Sequence, residues 1–272
     1  MQTKTEMGGL ASSIASFKQK FGSEPPSNIT LSETGTWTGS SDLVASLIKL
    51  RTIWPQFNSA LTYDFNLDGD ANDVISLSGP ECLVFFLGGP TTFVDADSDR
   101  LYDSNENVVQ VNGFSKNAAD PFGPMASGTA TREGPFYTSF TLDRLISNPS
   151  NTYIYSFADP FPGTQKPYLY ASSNDGQGYR EDASGNALDF GTAPAAMTYY
   201  YRQGAETSAA PFTSPFWNKN SFQIISAGAD RKYGIGGPYQ KGELAIPSGQ
   251  SATYRDDERD NITNFSDGVL VP

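Results

Sequence analysis

From Gly89 onward glycine and proline punctuate the chain so often that helices and strands there have room for only a few residues each. Short elements fit at 136–140, 142–146, 152–157, 168–171, 198–202 and 222–226, and the rest reads as long connection. Unsupported loops beyond about 15 residues are uncommon in compact domains, so something must hold these connections in place. Aspartates are concentrated in several of them, and calcium is the obvious support. That ion accepts six to eight oxygens from carboxylates and carbonyls and tolerates irregular geometry.

Charge and missing residue types narrow the chemistry. The formal charge of −12 over 272 residues argues against nucleic acid and anionic membrane surfaces as partners and favours bound cations. No histidine occurs, which removes serine-histidine triads, histidine general bases and histidine-ligated zinc. The single cysteine, Cys82, lies in the apolar run ECLVFFLGG and reads as a small buried hydrophobe. No segment reaches the about 18 apolar residues needed to span a bilayer. The chain reads as a soluble, loop-rich extracytoplasmic protein.

Two helices are legible. Met7, Leu10, Ile14, Phe17 and Phe21 recur at steps of three and four, one stripe on a helix that Gly22 ends and Pro25 and Pro26 keep from resuming. A second helix is expected over 42–53, capped by Ser41 or Asp42, with a broad apolar face of Leu43, Val44, Leu47, Ile48 and Leu50, and stopped by Pro55. The run CLVFFLG is a buried strand or a buried helical turn, and periodicity does not choose between them.

Three acidic segments are candidate metal loops. In DADSDRLYDSNE, Asp95, Asp97, Asp99, Asp103 and Glu106 stand at positions one, three, five, nine and twelve, with Leu101 at seven offering its carbonyl. This is EF-hand ligand spacing, except that Arg100 occupies position six, where a positive φ favours glycine, and the flanks do not read as helices. In DFNLDGDAND, Asp64, Asn66, Asp68 and Asp70 alternate around Gly69, position twelve is Ile75, and Asp73 is a possible substitute for the missing acid. The third segment carries Asp230, Asp256, Asp257 and Asp260 near the C-terminus.

The stretch FQIISAGADRKYG, followed by RDDERDNITNF, resembles the C-terminal end of the major pseudopilin of type II secretion systems and related type IV pilin-like proteins. The N-terminal helix followed by FGSEPPSNITL is similar to the soluble half of the long pilin helix. ECLVFFLGG, NGFSKNAADPF and the GPF of Gly134 to Phe136 resemble pieces of large members with a long central insertion. The resemblance implies a calcium held by Asp230, the Ala227 carbonyl, Asp257 and Asp260, with Asp256 as a substitute. It also implies an N-terminal membrane helix through which subunits anchor in the inner membrane and polymerise with other pilin or pseudopilin subunits. Neither that helix nor the prepilin cleavage and methylation signal is in the given sequence, which therefore reads as an ectodomain.

The expectation is an α+β fold, a single pilin-like ectodomain with an N-terminal helix at about 5–21 packed on a small antiparallel sheet. A loop-rich insertion would occupy about 55–215, and the C-terminal sheet and calcium loop about 221–271. The expected function is structural and non-enzymatic: a calcium-stabilised subunit of a type IV pilus-like filament or secretion pseudopilus, on the periplasmic or extracellular face. The alternative is a calcium-dependent adhesion or carbohydrate-binding module using Trp54, Trp217 or Tyr199, Tyr200 and Tyr201 as a stacking platform.

Overall fold

The computed structural model describes residues 2–126, 132–191, 197–250 and 252–271. The fold mixes helices with small, mostly antiparallel sheets. It divides into two compact units, one formed by Met1–Ser12 with Ala158–Pro272 and the other by Ser13–Phe157. The boundaries differ from those of the expected insertion, because the aromatic residues between Phe17 and Phe157 build a core of their own.

Helix α1 (Gln2–Phe21) contributes to both units. Its stripe is buried at Met7, Leu10, Ile14 and Phe17, and Thr3 extends it by one step of four. Gly22 adopts φ 82°, a conformation that glycine enters without strain, and its amide bonds the Lys18 carbonyl to close the helix. In the first unit, Lys4 Nζ donates to the Thr263 carbonyl (2.7 Å) and Tyr168 donates its hydroxyl proton to Glu6 (2.6 Å).

The second unit contains β1 (Ile29–Ser32) paired antiparallel with β2 (Val74–Leu77), and α2 (Ser41–Ile53) between them. Ser40, one residue earlier than expected, caps α2 by accepting the Leu43 amide at 3.2 Å. The apolar face of α2 is narrower than its composition suggests: Leu43, Leu50 and Ile53 are buried, whereas Val44 is 46% and Ile48 63% exposed. The ambiguous run folds as α3 (Gly79–Gly88), with every residue except Glu81 buried. A capping box starts it, in which Glu81 accepts the Ser78 amide at 2.8 Å. Small ladders follow: β3 (Thr92–Asp95) with β4 (Val108–Val109), β5 (Phe114–Ser115), β6 (Met125–Ala126), β7 (Arg132–Glu133), β8 (Leu145–Asn148) and β9 (Asn151–Phe157). β3 pairs antiparallel with β4 and parallel with β6, while β5–β7 and β8–β9 are antiparallel pairs. The expected element at 136–140 is irregular chain.

The core of this unit is aromatic. Phe86 meets Phe17 edge-on with centroids 5.9 Å apart and stacks near Trp54, and Trp54 also packs against Phe114 and Phe122.

In the first unit β10 (Leu169–Ser172), β12 (Phe222–Ser226) and β15 (Ile262–Thr263) form one antiparallel sheet with β12 in the centre. A second sheet joins β11 (Arg202–Gln203), β13 (Pro238–Gln240) and β14 (Glu243–Leu244). A short helix, α4 (Ala252–Asp256), precedes the last acidic loop. Tyr199, Tyr200 and Tyr201 are all buried, and the last two belong to a core with Leu169, Ile225, Tyr233, Tyr239 and Leu270. Among the described residues no helix is long and apolar enough to cross a membrane.

Candidate metal centre

The loop from Asp95 to Glu106 leaves β3 and returns as β4, so strands frame it where an EF-hand has helices. Arg100 takes φ 70°, the conformation for which position six favours glycine. Left-handed backbone costs a non-glycine residue about 1–2 kcal/mol, and the guanidinium offsets this with a bidentate pair to Asp120 at 2.8 and 3.1 Å. Arg100 Nε also donates to the Thr62 carbonyl, and the guanidinium lies 5.2 Å from the Tyr63 ring centroid. An anchored arginine thus replaces a flexible glycine. Asp120→Ala, which deprives Arg100 and the Tyr63 hydroxyl of their acceptor, is expected to destabilise the chain by about 1–3 kcal/mol in denaturant melts.

Asp95, Asp97 and Asp99 converge: one carboxylate oxygen from each lies within 4.8 Å of the others, the one such acidic trio among the described residues. Asp95 accepts the Ser98 amide (2.7 Å), Asp97 the Asp99 amide (3.2 Å) and Asp99 the Leu101 amide (2.8 Å). Asp95 is half-buried, and Asp97 and Asp99 are exposed. Glu106 uses its two oxygens on the Ala96 and Asp103 amides (2.7 and 3.1 Å), stapling the loop, and Asp103 is exposed. These three carboxylates could hold a metal ion between them.

The loop from Asp64 to Asp73 shares left-handed backbone with the loop from Asp95 to Glu106 at two positions. Its positions four and six, Leu67 and Gly69, have φ 54° and 89°, and the corresponding Ser98 and Arg100 have φ 71° and 70°. The carboxylate of Asp64 accepts the amides of Asp68 (3.1 Å) and Gly69 (3.0 Å) from its own loop and that of Tyr102 (3.1 Å) from the other. The two loops are therefore joined at Asp64. Burial, opposed by those amides and aided by the charge of Asp68, raises its pKa. Asp70 is exposed and accepts the Asn72 amide.

Glu33 belongs to this site although it lies far away in sequence. The pairing of Ser32 with Val74 sets it beside Asp73. It is fully buried and accepts the Phe65 amide (2.7 Å) and the Asp73 amide (3.1 Å), one near each end of the loop. Burial first, then the charges of Asp64 and Asp73, lift its pKa from 4.5 to about 7 against the pull of the two amides. In chelator the folded chain keeps this proton up to about pH 7 whereas the unfolded chain releases it near 4.5. The native state then binds more protons across that window, and its stability falls as pH rises through it. Melting of Glu33→Gln beside wild type from pH 4.5 to 7.5 tests this: the variant should gain on wild type as pH rises.

In the C-terminal segment Asp230 is exposed, and its pKa is raised by partial burial and then by the charges of Asp260 and Asp257, opposed by the Lys232 amide and charge. Protein groups already engage these acids. Asp260 Oδ2 accepts the Ala229 and Asp230 amides (2.5 and 2.9 Å), Lys232 Nζ pairs with Asp257 at 2.9 Å, and Asp256 ends α4 in solvent. Ala227 is buried at the end of β12. Asp230, Asp256, Asp257 and Asp260 include no trio with carboxylate oxygens within 4.8 Å of one another.

Two neighbours of these acids shape the segment. Arg255 and Glu258, both buried, form an ion pair at 3.0 Å. The guanidinium donates to the Gly236 and Pro238 carbonyls, and Glu258 accepts the Ile235 and Gly236 amides at 3.1 and 3.0 Å. An arginine and a glutamate three apart on a short helical turn are the only sequence signal, and the surrounding acids mask it.

The aromatic candidates for a stacking platform are engaged internally. Trp54 is buried, and Trp217 stacks on Phe265 at an interplanar angle of 9° while donating its indole proton to the Tyr239 carbonyl. No protein-family model, curated protein or solved structure matches the chain.

Proposed function

We propose that the chain is a non-catalytic building block, the extracytoplasmic part of a type IV pilus-like or secretion-pseudopilus subunit, with calcium at Asp95, Asp97 and Asp99 stabilising its loops. The observation that carries this reading is the two-sidedness of α1. Its Met7, Leu10, Ile14 and Phe17 stripe is buried, while Thr5, Gly8, Ser12, Ala15, Ser16 and Gln19 form an exposed face of small and polar residues. Such a face lets a first helix lie close beside its copies in a filament core. The convergent aspartates supply the calcium part of the reading.

The proposal is tested on source cells. Surface filaments are sheared off, labelled with antibody raised against this chain, and the native N-terminus is read by mass spectrometry. Labelling along filaments, with a processed and methylated terminus, is the expected result. Chain found only in the soluble fraction, with an unprocessed terminus, overturns it.

A further inference from the structure

The turn that the Asp99 carboxylate closes on the Leu101 amide, at 2.8 Å, spans Arg100. The backbone of Arg100 therefore sets where that carboxylate stands. Its φ is 70°, a left-handed conformation that a side chain disfavours and that persists only when surrounding contacts enforce it. Those contacts come through the guanidinium, which bonds Asp120 at 2.8 and 3.1 Å and the Thr62 carbonyl at 3.2 Å. Neither acceptor belongs to the loop from Asp95 to Glu106. Asp120 is tied down in turn by the Tyr63 hydroxyl at 3.0 Å. Just beyond Arg100, the Tyr102 amide donates to Asp64 at 3.1 Å, so the chain that follows the trio is fastened to the same neighbouring segment, 62–64.

We infer that Arg100, on the reading of Asp95, Asp97 and Asp99 as a calcium centre, is a positioning residue for that centre. By gripping Asp120 and Thr62 it fixes the turn that carries Asp99 before an ion arrives, although it offers the ion no ligand atom. Ligands that are already ordered lose less conformational freedom on binding, so the ion is held more tightly. Groups that orient metal ligands from behind typically account for about 10–100-fold in affinity. The spacing of an EF-hand loop calls for glycine at this position, which leads to the opposite expectation, that a glycine here improves the site.

Isothermal titration of the full chain with calcium decides between them. Arg100→Gly with Asp120→Asn removes the grip, relieves the left-handed backbone and leaves the net charge unchanged. The same number of ions should bind, with a dissociation constant about 10–100-fold higher than in wild type; equal or tighter binding overturns the inference. Should that variant not fold, Arg100→Lys keeps the charge but loses the two-pronged contact. It is expected to weaken binding, and wild-type affinity in it counts against the assignment. Phe86→Leu, a change in the aromatic core of the same unit, should bind as wild type does; an equal weakening there would mean that affinity merely follows stability and would refute a role for Arg100. Calcium binding that is absent in wild type, or kept in full by Asp97→Asn with Asp99→Asn, removes the calcium centre itself. Calcium lost in that pair but bound with unaltered affinity after the Arg100 changes removes only the positioning role.

Discussion

Arg255→Ala is expected to destabilise the chain by about 3–5 kcal/mol, because it leaves Glu258 charged, fully buried and without its counter-ion. Burial raises the pKa of Glu258 even with Arg255 beside it, and removing the arginine removes the first of the groups that oppose that rise. The loss extends beyond one pair, since the guanidinium also satisfies the Gly236 and Pro238 carbonyls. Replacing both members with apolar residues of similar volume, Arg255→Met with Glu258→Leu, should cost less than Arg255→Ala alone, because no uncompensated charge stays behind. Guanidinium melts of the three proteins check this. Equal stability of Arg255→Ala and wild type would mean that the pair does not hold the C-terminal segment together.

Phe86→Ala is the second large effect. The ring is fully buried in α3 and touches Phe17, Trp54 and Phe85. Its removal leaves a cavity among large, stiff neighbours that collapse poorly, so a loss of about 3–5 kcal/mol is expected. Phe86→Leu keeps most of the volume and should cost far less, about 1.5 kcal/mol or below. Denaturant melts of both variants separate packing from mere hydrophobicity: similar losses for the two would show that the site does not depend on the filled volume.

What could be read from sequence follows the range of the interactions involved. The α1 stripe and the strand Phe222–Ser226 were legible, because side chains repeating at helical spacing, or a short run of apolar residues after a turn, report local burial directly. α3 was not resolved by periodicity, since a helix buried all round has none, although Ser78, Pro80 and Glu81 spell a helix start. Val44 and Ile48 read as core and lie exposed, because composition does not show which arc of α2 meets β1. The convergence of Asp95, Asp97 and Asp99 was visible in their alternation. Glu33 was not, for its neighbour Asp73 is 40 residues away and only the β1–β2 register unites them. Arg100 looked like a flaw in a metal loop until Asp120 supplied its partner.

Differential scanning calorimetry of the full chain, first in chelator and then with calcium restored, tests the central claim most directly. A ligand at one hundred times its dissociation constant adds about 2.7 kcal/mol to the folded state, which for a protein of this size raises Tm by roughly 5–10 °C. The account predicts a lower Tm in chelator and full recovery with calcium, but not with the same concentration of magnesium, whose octahedral demand these irregular loops do not meet. Superimposable transitions in chelator and in calcium would contradict it.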